Sequence, residues 1–244
     1  MHAMSEFLRW LTTSSHWSGP SGIPSRLLEH VQLSALAVGL SLAVALPVGL
    51  FIGHTRRGEF LAVSVGNLGR ALPSFGILAI VFPFALRYLP GSIGFWPTFI
   101  ALFLLGIPPV LTNTYVGIQN VDADTVEAAR GMGMSGRQVL MLLEVPLAVP
   151  LIVAGLRTAA VQIVATATLG AVFGWGGLGR FIVDGFALRD NAQILGGAFL
   201  VAVLAILTEV GLGLLERALS PRLTSRERGR GRVRDELAFA PPGQ

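Results

Sequence analysis

The 244-residue chain has no cysteine and no lysine. The first absence excludes disulfides, thiolate metal sites and cysteine nucleophiles. The second is sharper: all 18 basic residues are arginine, so the chain lacks the lysine that a Walker A loop needs to reach nucleotide phosphates. An ATP-driven step would therefore require a separate polypeptide. Charged residues are also scarce, at 13%. The four histidines, at 2, 16, 30 and 54, show no ligand spacing, and no metal site is expected. Neither HExxH nor GxSxG occurs, and no catalytic nucleophile, dyad or metal set stands out within the apolar stretches. A secondary transporter would favour internal repeats and several buried acids, whereas this chain shows no repeat and only Glu209 as an intramembrane acid.

Apolar residues dominate instead: 52% are hydrophobic and the mean hydropathy is +0.67, which places the chain in the membrane class. Val31 to Gly53 carries no charge and would make about 35 Å of helix, enough for a hydrocarbon core of about 30 Å. Further spans are expected at Ala71 to Leu89, Phe95 to Gln119, Pro146 to Phe173 and Ala192 to Leu215. Pro108-Pro109 removes two backbone donors and should kink or break the third span. Phe60 to Arg70 is apolar enough to lie in the interface, and Gly174 begins an outer loop that reaches Asn191. The expectation is an all-α integral membrane protein with five transmembrane helices, or six with an extra N-terminal pass. Residues 1–26 lack the continuous apolar core of a cleavable signal peptide and are expected outside the cytoplasm. Residues 221–244, rich in arginine, should form a disordered tail that could meet anionic lipid headgroups.

Orientation follows from the arginines, which favour cytoplasmic loops. Five spans put twelve arginines on the side of the tail and five on the other, so the C-terminus is expected in the cytoplasm. The arginines lie in loops beside apolar spans and the tail, which argues against nucleic acid as a partner.

One polar stretch interrupts the apolar pattern. Residues 121–146 read as two short helices. Asp124, with Glu127 three residues on, makes a capping box for the first, which Gly131 and Gly133 end. Ser135 with Gln138 repeats the box, and an apolar face then runs up to Pro146. So compact a polar helix-turn-helix between spans looks like a surface offered to a partner in water.

Glu127-Ala128-Ala129, Gly133 and Leu143-Glu144-Val145-Pro146 resemble, in type and spacing, the EAA-x3-G-x9-I-x-L-P loop of type I ABC importer permeases. Leu143 for Ile and Val145 for Leu are mild departures. The segments ALPSFGILAIVFP (Ala71 to Pro83), NTYVGIQNV (Asn113 to Val121), AGLRTAAVQ (Ala154 to Gln162) and GWGGLGRFI (Gly174 to Ile182) resemble the osmoprotectant branch, whose cargo is glycine betaine, carnitine or choline. The resemblance covers residues 27–220. It implies a transmembrane domain in a bacterial inner membrane, with Asp124, Glu127, Ala128, Ala129, Gly133, Ser135 and Pro146 on a coupling loop. It also implies three partners: an ATPase subunit that binds ATP and Mg, a second permease copy or paralogue, and an extracytoplasmic solute-binding protein. No cofactor is expected in this chain. A methionine-type amino-acid importer is the alternative cargo reading, and a secondary transporter a further one.

Helical spacing sets Gly155, Thr158, Gln162 and Thr166 on one face of the fourth span, a small polar stripe that either lines a path or packs on another helix. Asn113 and Tyr115, beyond the proline pair, are further path candidates. Arg157 is costly inside a membrane, and Glu209 is its nearest acid by depth. Trp96, Trp175 and Phe181 invite a cation–π account, although tryptophan also favours membrane interfaces for its own reasons.

Overall fold

The computed structural model describes residues 2–71, 73–89 and 93–219, all helix and short connections. In order these are α1 (His2–Thr12), α2 (Ile23–Thr55), α3 (Glu59–Ala71), α4 (Ser74–Tyr88), α5 (Phe95–Gln119), α6 (Ala123–Gly131), α7 (Gly136–Val139), α8 (Val145–Thr166), α9 (Gly179–Leu188) and α10 (Asn191–Leu219). The expected tail at 221–244 lies outside the described residues.

Among the described residues, four segments are long and apolar enough to cross a membrane: Ile23–Thr55, Phe95–Gln119, Gly136–Phe173 and Asn191–Leu219. The expected second span is shorter than the reading of 71–89. Pro73 sits before the first turn of α4, and the 15 residues that follow it make only about 22 Å of helix. The expected outer loop also holds a helix, α9, and residues 1–26 contain α1. Trp10 of α1 is buried against α10, edge-on to Phe181 at 5.4 Å, and Phe7 meets Phe199.

Three helices form the heart of the bundle. α2 and α5 run parallel: the Ser41 hydroxyl donates to Phe103 O at 2.8 Å, and Gly49 and Gly53 lie against Thr114 and Ile118. α8 runs antiparallel to both, with Ala148 beside Gly117 and Ile163 beside Gly106. Lipid offers no hydrophobic driving force for helix association, so such close approach of small residues is what holds membrane helices together. Gly155 shows the geometry: a β-carbon there would sit 2.6 Å from Asn113 Cβ and 2.8 Å from Pro109 O. Gly155→Val should separate α5 from α8 at a cost of about 1–3 kcal/mol of overpacking, read as a lower thermal unfolding midpoint in detergent.

One proline expectation is narrowed and one is corrected. α5 continues through Pro108 and Pro109; it is not broken there, and the Asn113 side-chain amide donates to Pro109 O at 2.8 Å. The second island helix does not stop at Pro146 either. Residues Leu140–Glu144 form a π-helical turn in which Val145 N donates to Leu140 O. This wider turn lets Pro146, in the first turn of α8, sit in one continuous helix from Gly136 to Phe173.

Candidate functional site

α6 and α7 lie at the end of the bundle where α2 and α5 finish and α8 begins. The first cap is shifted from its expected place. Asp122, not Asp124, is the N-cap residue, and its carboxylate accepts from the Thr125 hydroxyl at 2.9 Å rather than from a backbone amide. Asp124 falls in the first turn, where its charge still suits the helix dipole. Glu127 is the fifth residue of α6, past the capping-box position.

The end of α6 follows the sequence reading. Gly133 has φ +88°, its amide donates to Arg130 O at 2.9 Å, and Met134 N donates to Ala129 O at 3.2 Å. That pair of bonds is a Schellman ending, which calls for a left-handed residue. Gly133→Val places a β-branched residue there at about 1–2 kcal/mol, and should leave insertion intact while lowering uptake per ATP hydrolysed in reconstituted vesicles. Normal coupling in that variant would discount the turn. The Ser135 box is also present, with Gln138 N donating to Ser135 Oγ at 3.4 Å and Ser135 N to Gln138 Oε1 at 2.8 Å. Ala129 is buried at 4% exposure, whereas Glu127 and Ala128 face outward. Glu127 and Ala128 therefore leave a small exposed surface on α6.

Behind this loop lies a pocket of about 180 Å³ lined by residues that include His54, Arg56, Glu127, Arg130 and Glu144. His54 Nδ1 lies 2.6 Å from Glu144 Oε2, and Glu144 is 5% exposed. The motif spacing gave no reason to single out either residue.

A larger cleft of about 390 Å³ opens between α5 and α8, lined by Leu105, Pro108, Pro109, Thr112, Asn113, Thr158 and Gln162. Three of the sequence candidates, Asn113, Thr158 and Gln162, thus come together. Thr112, which sequence reasoning missed, joins them, and its hydroxyl is buried without a partner. Gly155 packs on α5 instead. Tyr115 is buried in the α2–α5 core and Thr166 is half-buried at the end of α8; neither lines the cleft. Trp96, Trp175 and Phe181 form no single cage: the first two meet Phe95, while Phe181 stacks edge-on to Trp10. Arg157 reaches Glu209 as expected, Nε to Oε1 at 3.5 Å, and also Glu216, Nη1 to Oε2 at 3.3 Å.

The far end of the bundle has its own fastening. Glu29 Oε2 accepts from Gly177 N at 2.8 Å and from Arg26 Nη1 at 2.9 Å. Buried His30 accepts from Leu178 N through Nδ1 at 3.3 Å, and its Nε2 lies 2.9 Å from Val164 O, which fits the tautomer protonated on Nε2. α2 is thereby pinned to the glycine-rich segment that follows α8.

Residues 45–225 match the family described as binding-protein-dependent transport system inner membrane component. The chain belongs to this family. It is 38% identical over 194 residues to the carnitine transport permease protein OpuCB of Listeria monocytogenes, covering 80% of this chain and 86% of that protein. It is 37% identical to the glycine betaine/carnitine/choline transport system permease protein OpuCB of Bacillus subtilis, covering 80% and 87%. Among solved structures, the inward-facing MetNI methionine ABC transporter matches with a TM-score of 0.70 at 22% identity, over 80% of this chain and 94% of that one. The family member described here is a multi-pass membrane protein and a transport permease subunit with the type I importer fold.

Proposed function

We propose that the chain forms the transmembrane path of an ATP-driven importer for small quaternary-ammonium osmoprotectants of the glycine betaine, carnitine and choline kind. The observation that carries the reading is the island: a two-helix loop with an outward-facing Ala128, joined without interruption to α8, the helix that walls the cleft. A separate ATPase, with its ATP and Mg, docks on that loop from the cytoplasm, where the C-terminus also lies. Two permease copies, or this chain and a paralogue, enclose the path, and an extracytoplasmic binding protein delivers the solute.

The cleft chemistry suits this cargo class. Its lining carries amide and hydroxyl groups and no fixed charge, so a zwitterion or cation meets no deep electrostatic trap, and conduction requires binding weak enough to release. Selection then falls largely to the binding protein. The test is uptake by vesicles holding the permease, ATPase and binding protein together, with labelled glycine betaine, carnitine, choline and methionine compared. ATP-dependent uptake of the quaternary ammonium solutes is expected. Uptake of methionine alone would reassign the cargo, and uptake without ATP would reject the importer reading.

A further inference from the structure

The island must pull on something, and the structure shows where it is attached. His54 is in the last turn of α2, and its ring sits between two parts of the coupling loop. Nδ1 meets Glu144 in the π turn at 2.6 Å, and Nε2 faces Gly136 at the start of α7, 3.5 Å from where a β-carbon would stand. Glu144 occupies the one position within Leu143-Glu144-Val145-Pro146 that the family motif leaves open. A carboxylate buried to 5% exposure is expensive unless a donor meets it, and the His54 Nδ1–H is that donor. Arg56, Glu127 and Arg130 line the same pocket, but no ion pair is made from them to Glu144 among the described residues.

At the other end, His30 and Glu29 pin α2 to Val164 and to residues 177 and 178. α2 is thus fastened to the α8 segment and the residues that follow it near both of its own ends. We infer that His54 and Glu144 are positioning residues for transport: their hydrogen bond makes α2 follow the coupling loop, so that α2 and α8 move as one strut and carry the displacement to the glycine-rich segment at the far side. This rests on the importer reading above.

The experiment uses the full complex of permease, ATPase and binding protein in vesicles, with uptake and hydrolysis measured together. His54→Leu and Glu144→Leu should each lower uptake per ATP by about tenfold, the scale of one charge-assisted hydrogen bond. The double variant should do no worse than either single. His54→Asn, which keeps a donor near the Nδ1 position, and Glu144→Gln, which keeps the acceptor, should restore most of the ratio. A merely structural role would reduce the yield of complex and leave the ratio unchanged, and that result overturns the inference. So does additivity of the two Leu variants.

If the Leu variants fail to assemble, the cysteine-free background offers a second route. A His54→Cys, Glu144→Cys pair joined by a short bifunctional thiol reagent should keep transporting, because the contact is held through the cycle. Loss of transport on joining would show that the contact must open, and would overturn the strut. Failure of the importer reading itself would appear in the unaltered complex, as hydrolysis with no uptake.

Discussion

Ala128→Trp should cost the permease its ATPase subunit, or the hydrolysis that the binding protein stimulates, while the permease itself remains folded. The two alanines of the island have different jobs. Ala129 is turned into the protein and is nearly fully buried, so bulk there would damage the fold; Ala128 points outward from α6 and touches no core. A tryptophan at 128 adds volume to the surface that a partner groove would have to accept. Dense interfaces tolerate such overpacking poorly, at about 1–3 kcal/mol and occasionally more. Co-purification of the ATPase and stimulated hydrolysis are the measurements. Glu127→Gln is the control: Glu127 is exposed and sits past the capping-box position, so losing its charge should be mild. If Ala128→Trp membranes retain the ATPase and transport normally, the island is not the coupling surface and the importer reading loses its main support.

The parts of the island legible in the sequence are those set by neighbours along the chain. Gly133 and the Ser135–Gln138 box depend on contacts within a few residues, and glycine or serine at such places has a local physical reason. The first cap slipped by two because Asp122 and Asp124 are both acceptable N-caps, and only the backbone of Asp122 leaves the helix. Proline inside long apolar segments did not end a helix. A proline disfavours helix by removing one hydrogen bond, but in a membrane span the alternative is unpaired backbone in hydrocarbon, so α5 and α8 continue through Pro108, Pro109 and Pro146. The reverse held at Pro73, where the helix did start anew and the span came out short. His54 with Glu144, and His30 with Val164, are 90 and 134 residues apart in the chain. No periodicity announces such pairs, and four scattered histidines read from sequence as lacking a shared role.

Arg157→Leu should strip most of the folded permease from the membrane, and that loss should be partly reversed by Glu209→Gln together with Glu216→Gln. Depth in the fourth span pointed to Glu209 as a partner, and the structure adds Glu216 two turns further along the same face of α10. One guanidinium thus serves two carboxylates on two turns of the same helix, and ties α10 to α8 where α10 is otherwise scarcely buried in the bundle. A charge at the centre of a membrane helix costs about 2.5–3.5 kcal/mol on insertion scales. Removing the arginine leaves two carboxylates on one face of α10 with no cation between them. The Glu209 and Glu216 side chains are 50% and 25% exposed in the chain, so the pairs are only partly desolvated, and the drop in yield should be several-fold rather than total. Neutralising both acids removes the unpaired charges but not the lost tie, which is why rescue should be incomplete. Fluorescence-detected size exclusion of the solubilised permease measures the folded fraction. Equal yields for Arg157→Leu with and without the two glutamine changes would show that Arg157 acts through some contact other than these acids.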